Sequence, residues 1–226
     1  MHAILTTHTT TTTHKNASFY RHGHSKANEA DVIISSLDAG QSPQWGLTDL
    51  GRQQADAAGE SLVAAMGHFD ASKLQIFTSP FSRAVETALQ AASHLEVSFK
   101  DPRLKKVPEL CERYFGTVYE GKSTAHYADV WADDAKNPAT KPPGGGESVD
   151  EVAARMRELI QALEQRSSTQ GFNFLIVSHG DALSVLAAVL LGTDLREHRA
   201  HGLGNCDWIR IPKKDKEVEN GDSILN

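Results

Sequence analysis

Two short runs of the chain, Asn16–Tyr20 (NASFY) and Phe172–Ser178 (FNFLIVS), carry apolar, aromatic and β-branched residues in succession, and a His-Gly pair follows each closely. Apolar runs of that length have the pattern of strands covered on both faces, as in a parallel sheet flanked by helices. Leu74–Pro80 (LQIFTSP) reads as a third strand, stopped at Ser79-Pro80, and Cys206–Ile211 (CDWIRI) as a last one. Between them the apolar period changes to that of helices. Leu47–Gly67 has Thr48 as an N-cap and Gly67 as a stop, Phe81–His94 is a second helix, and Ser148–Ser168 opens with Ser148 and Glu151 spaced as a capping box. A further helix runs from the second His-Gly pair to Gly192, and Ser123–Asp134 (STAHYADVWADD) also reads as helical.

Glu96–Phe99 (EVSF) is expected to add a strand, while Leu104–Gly121 has no dominant period and reads as strand or loop. Strands alternating with helices predict an α/β fold, a three-layer α/β/α sandwich around a mainly parallel sheet. In such sheets ligands bind beyond the carboxyl ends of strands. His22 and His179, each just past a strand, are therefore expected to meet in one crevice. The predicted organisation is a Thr/His-rich extension over residues 1–15, one domain over 16–212 and a charged tail over 213–226.

Composition narrows the partners. With 226 residues and a net charge of −6, the chain is sized for one domain and unsuited to non-specific nucleic-acid binding or a polybasic membrane contact. Its two cysteines, Cys111 and Cys206, do not make a disulfide scaffold, which favours a reducing, cytoplasmic location. Apolar stretches such as Ala182–Gly192 are shorter than the roughly 20 residues needed to span a bilayer. Oligomeric state has no signature in the sequence.

The segment Tyr20–Asn28 (YRHGHSKAN) leaves three chemistries open: a metal site, a phosphate site or a basic loop. For a metal, His22-x-His24 would need carboxylates nearby, and Asp181 is the evident candidate. A phosphoryl group instead needs cationic forks, neutral donors and the backbone N–H groups of a helix start. Arg21, Ser25, Asn28 and Arg83, the last in the first turn of its helix, supply that set. Arg83 read by itself could equally be a surface partner of Glu86.

Four motifs, Arg21-His22-Gly23, SPFSRAVETA around Arg83, LCERYFG around Glu112 and VSHGDAL around His179, together resemble the histidine phosphatase superfamily, which includes the cofactor-dependent phosphoglycerate mutases. Their order and spacing cover about the first 205 residues, apart from the Thr-rich start. The resemblance implies that His22 is the nucleophile and forms a phosphohistidine. Arg21, Arg83, His179 with its neighbour Gly180, and Asn28 would hold the phosphoryl oxygens. Glu112, four residues before Gly116, would be the proton donor, with Glu109 a decoy. No metal or organic cofactor is implied. Glu112 is expected to be buried with a raised pKa, as an acid that keeps its proton near neutrality requires.

The resemblance leaves hydrolysis, isomerisation and phosphate recognition by a regulatory module open. Arg113 matches a substrate-carboxylate contact of the mutases. However, Phe115 and His24 depart from the mutase pattern, and no arginine lies between Arg113 and Arg155. These departures favour a phosphatase of small phosphate monoesters. His24, Lys26, Arg113, Tyr114 and the helix holding Tyr127 and Trp131 are expected to line or cover the pocket, although packing in the core is the stronger expectation for the two aromatic residues. Pro142–Glu147 (PPGGGE) lacks the Gly-Lys-Ser/Thr end of a nucleotide-binding loop and reads as a flexible link.

Overall fold

The computed structural model describes residues 17–66, 71–95, 97, 100–170 and 172–210. Five strands form one sheet: β1 (Ala17–Arg21), β2 (Leu74–Thr78), β3 (Leu104–Lys106), β4 (Asn173–Ser178) and β5 (Trp208–Arg210). Their order is β3-β2-β4-β1-β5, with all pairs parallel except β1 with β5. The long helices are α3 (Asp49–Met66), α4 (Ser82–Ser93), α6 (Val149–Gln170) and α7 (Gly180–Leu191). Shorter ones are α1 (Lys26–Glu29), α2 (Leu37–Gly40) and α5 (Tyr127–Asp134).

Strand residues point alternately to opposite faces, and here both faces are apolar. Phe19, Phe77, Phe174 and Ile176 pack on Val152, Met156, Leu183 and Leu186 of α6 and α7. Tyr20, Ile76, Leu175 and Val177 face the other way, against Ala58 and Leu62 of α3 and Ala84 and Ala88 of α4. The unbroken apolar runs thus have the double coverage that their pattern implied. The extension over residues 1–15 and the tail over 213–226 lie outside the described residues, as do three of the four residues of the EVSF segment. Its Val97 is buried beside α3 and α4. The patternless stretch after Leu104 starts as the short strand β3 and continues as turns.

The predicted capping box closes the start of α6. Ser148 Oγ accepts from Glu151 N–H at 3.2 Å, and Glu151 Oε2 accepts from Ser148 N–H at 2.9 Å. Ser148→Ala is expected to lower the unfolding free energy by about 1 kcal/mol, seen as an earlier denaturant midpoint with an unchanged slope.

Strand register decides where the chemistry lies. Arg21 pairs with Ser178 across β1 and β4, and His22 N–H donates to Ser178 O at 3.0 Å. Residues 22 and 179 therefore leave the sheet side by side, at the carboxyl ends of adjacent central strands.

Candidate active site

His22 is buried, and its two ring nitrogens have different partners. Nδ1 lies 2.7 Å from Gly23 O, which can only accept, so Nδ1 carries the proton. Nε2 is then a lone pair, and Arg83 Nε donates to it at 3.1 Å. Burial, reinforced by the charges of Arg83 and Arg21, holds the imidazole pKa well below its ordinary value. The result is a neutral ring with one nucleophilic nitrogen of fixed direction. The loop behind it is tied to α4 by Gly23 N–H donating to Thr87 Oγ1 at 3.0 Å. A Cβ on Gly23 would stand 2.6 Å from Gly51 O, so only glycine lets α3 approach this closely.

Three buried nitrogens around His22 lack a hydrogen-bond partner within the protein: Arg21 Nε, Arg83 Nη1 and His179 Nδ1. Other atoms of these side chains are anchored. Arg21 Nη1 donates to Leu203 O at 2.6 Å, Arg83 Nη2 donates to Ile34 O at 2.9 Å, and His179 Nε2 pairs with Ser79 Oγ at 2.8 Å. The His179 ring centroid is 5.1 Å from that of His22, and burial together with Arg83 and His22 lowers its pKa as well. Unpaired buried donors cost about 1–3 kcal/mol each, so such a cluster is the mark of a site made for acceptor oxygens. Arg83 does not pair with Glu86, whose carboxylate accepts from Leu47 N–H at 3.0 Å.

Glu112 adjoins this cluster. Its Oε1 accepts from the backbone N–H groups of Arg113 at 3.0 Å and Ala182 at 3.1 Å, which leaves Oε2 as the oxygen free to carry a proton. Burial, then the negative charge of Asp181, raise its pKa, and they outweigh Arg83 and the two N–H groups. Glu109 is exposed by contrast. Glu112, His22, Arg21, Arg83 and Gly180 share a pocket of about 280 Å³ with Asn28 and Ser25. Asn28 Oδ1 accepts from Ser25 N–H and Oγ, each at 3.0 Å, so its Nδ2 is the donor left over. The Ser25 hydroxyl, expected to donate to phosphate, instead serves that cap of α1. Gly180 lies close to Arg21, and a Cβ there would be 3.3 Å from Arg21 Nε and Cζ. Gly180→Ala is expected to displace the guanidinium and lower kcat/KM on the order of tenfold with little change in melting temperature.

Arg113 is where the expectation of a substrate contact fails. Its side chain is fully buried, held by Asp134 at 2.6 and 2.8 Å, by Asp181 at 3.3 Å and by Glu147 O at 2.8 Å, and it does not line the pocket. His24 Nδ1 pairs with Thr48 Oγ1 at 3.0 Å, and His24 does not line the pocket of His22. Lys26 is exposed, and Tyr114 lines a separate cavity on the other side of Glu112. Tyr127 packs on the core as expected, against Phe115 with ring centroids 4.7 Å apart, and it also forms a pocket wall with Trp131, stacked at 5.2 Å. Arg199, which no motif marks, joins that wall 3.9 Å above the Trp131 ring.

Comparison with known proteins accords with this geometry. A model of the histidine phosphatase superfamily (branch 1) matches residues 18–220. The chain belongs to the histidine phosphatase superfamily. Among curated relatives of this histidine phosphatase is a glucosyl-3-phosphoglycerate phosphatase of Mycolicibacterium vanbaalenii, 31% identical over 84% of this chain and 81% of that protein. Another is a 2,3-bisphosphoglycerate-dependent phosphoglycerate mutase of Methylocella silvestris, 31% identical over 75% of this chain and 78% of its own. A solved mycobacterial glucosyl-3-phosphoglycerate phosphatase in complex with VO3 superposes with a TM-score of 0.66 at 26% identity, covering 85% of this chain and 88% of that one. No helix among the described residues of the histidine phosphatase is long and apolar enough to cross a membrane.

Proposed function

We propose that this protein hydrolyses small phosphate monoesters through a phosphohistidine on His22. The observation that carries the reading is the neutral His22 ring, proton on Nδ1 and lone pair on Nε2, with unpartnered nitrogens of Arg21, Arg83 and His179 around it. In the first step Nε2 attacks phosphorus while the bond to the ester oxygen breaks, and Glu112 gives its proton to that oxygen. As the lone pair is spent on phosphorus, Arg83 Nε loses its acceptor on the ring and turns to a phosphoryl oxygen. Arg21, His179 and the Nδ2 of Asn28 take the other oxygens, so the charge of the transferring group is met by donors already in position. In the second step the Glu112 carboxylate takes a proton from water, the water oxygen attacks phosphorus, and the N–P bond breaks to return neutral His22 and inorganic phosphate.

The mutases among the relatives favour a second reading, in which a phosphoglycerate rather than water accepts the phosphoryl group. The burial of Arg113, the residue aligned with a mutase carboxylate contact, argues against it. Rapid quenching during turnover of phenyl phosphate tests the mechanism. An acid-labile phosphate on the peptide containing His22, with the rate unchanged by chelator, is expected; phosphate release without that phosphopeptide would overturn it. Interconversion of 3- and 2-phosphoglycerate faster than phosphate release would promote the mutase reading.

A further inference from the structure

Tyr127 stands in the pocket wall beside the reacting groups. Its ring is wedged between Phe115, edge to face with centroids 4.7 Å apart, and Trp131, stacked at 5.2 Å. Trp131 is itself pinned by its Nε1, which donates to Asp181 Oδ1 at 3.0 Å. A ring so held keeps its oxygen in one place. Burial, then the charge of Glu112, push the phenol pKa up, against the pull of Arg83 and Arg21. The coupling is mutual: of the groups that can carry negative charge, only Glu112 acts more strongly than the Tyr127 oxygen on both Arg21 and Arg83. The phenol is therefore neutral, with its oxygen set among Glu112 and the two guanidinium groups. That oxygen has no hydrogen-bond partner among the described residues.

Attack on the phosphohistidine makes a particular demand on this part of the pocket. A water aimed at phosphorus in a closed site carries two hydrogens, and each needs an acceptor. Glu112 Oε2 takes one, and the arginines that hold the phosphoryl group can accept nothing. Among the other side-chain acceptors of the pocket, Asp181 Oδ1 accepts from Trp131 and Arg199, and its Oδ2 from Arg113. Asn28 Oδ1 accepts from Ser25, whose Oγ accepts from Asn28 N–H, and the Thr124 hydroxyl donates to Asp31. The acceptor left over is the Tyr127 oxygen.

We propose that Tyr127 is a catalytic residue of the second step, in which its hydroxyl oxygen accepts the second hydrogen of the attacking water while Glu112 removes the first. The proposal rests on the hydrolytic reading. The water oxygen bonds to phosphorus, the electron pair of the N–P bond returns to His22 Nε2, one proton passes to Glu112 and the other hydrogen stays on the phosphate formed. Tyr127 neither gains nor loses a proton. In the first step the leaving oxygen carries carbon where the water carries this hydrogen, so the tyrosine has nothing to accept there.

An alcohol that replaces water as acceptor has a single hydroxyl hydrogen, and Glu112 takes it. The test is therefore turnover of phenyl phosphate in buffer containing methanol, read as methyl phosphate formed per inorganic phosphate. Tyr127→Phe keeps the ring and is expected to raise that ratio about tenfold over the wild type, the scale of one hydrogen bond. A purely structural role, or a hydrogen bond to phosphate alone, would slow both acceptors together, so an unaltered ratio overturns the proposal. Where methanol yields no methyl phosphate, decay of the phosphopeptide after a chase with unlabelled substrate decides. Decay about tenfold slower in Tyr127→Phe, with phosphoenzyme formation far less affected, supports the role, and equal decay or equal slowing of both steps overturns it. Tyr127→Leu is read in the same way if the phenylalanine variant does not fold. Absence of a His22 phosphopeptide from the wild type would sink the hydrolytic reading and the role of Tyr127 with it, whereas a phosphopeptide with an unaltered ratio sinks the role alone.

Discussion

His22→Ala is expected to turn over phenyl phosphate at least about ten-thousandfold more slowly than the wild type, because the nucleophile has no substitute in the site. His179 is the nearest other imidazole, but its Nε2 is held by Ser79 at 2.8 Å and its ring is tilted 62° to that of His22. The change removes no positive charge, since the ring is neutral; it keeps both guanidinium groups, although Arg83 Nε loses its acceptor on the ring. Inorganic phosphate should therefore still bind, and calorimetric titration of the variant is expected to show affinity within about tenfold of the wild type. Loss of turnover together with retained binding separates a missing nucleophile from a collapsed site. Residual turnover above about one per cent of the wild-type rate would contradict the assignment.

Glu112→Gln is expected to act unevenly on substrates. Proton donation contributes roughly a hundred- to ten-thousandfold when the leaving oxygen needs a proton, so alkyl phosphates should lose that much in kcat/KM. A nitrophenolate departs without protonation, and kcat/KM for 4-nitrophenyl phosphate should fall far less. The wild-type pH profile follows from the same group. The reactive form has Glu112 protonated and His22 neutral; Glu112 is shifted up and His22 down, and both shifts favour the coexistence of these two forms. Activity on an alkyl ester, divided by that on the nitrophenyl ester to cancel ionisation of the phosphate itself, should decline as pH rises through the raised Glu112 pKa. In Glu112→Gln that decline should vanish. A ratio that is flat in the wild type, or equal losses for both esters, would remove Glu112 from the role of acid. Stability has a definite sign too. A carboxyl whose folded pKa exceeds its unfolded one binds its proton more tightly when folded, so its contribution is lost as pH rises through that window. The glutamine variant should therefore melt no lower than the wild type at neutral pH.

Local rules made much of the site readable. A His-Gly pair after an apolar run identifies a strand end, and Arg83 beyond LQIFTSP identifies a helix start. Glu112 could be separated from Glu109 only through the LCERYFG motif, because nothing local distinguishes two glutamates three residues apart. In the fold one has backbone donors and burial, and the other is exposed. Arg113 shows the opposite case. Its motif suggested a ligand contact, and its partners Asp134 and Asp181 stand 21 and 68 residues further along the chain. Tyr127 and Trp131 carry the helical spacing of core residues, and whether such a face meets other side chains or a pocket depends on where α5 docks. Arg199 had no signal at all.

What the sequence by itself determined is therefore the long helices, the doubly covered sheet and the residues that end its central strands. Periodicity, caps and strand ends are short-range properties, written within a few residues of where they act. The tertiary structure alone decided which charges remain available to a ligand. A guanidinium is a binding group or a strut according to whether a carboxylate from elsewhere in the chain reaches it first, and that depends on how α5 and α7 pack rather than on any neighbour in sequence. Arg21 and Arg83 keep donors for phosphate because no acidic side chain bonds to them. Arg113 is bound by Asp134 and Asp181 and does not line the pocket, whereas Arg199 lines it with Nη1 held by Asp181.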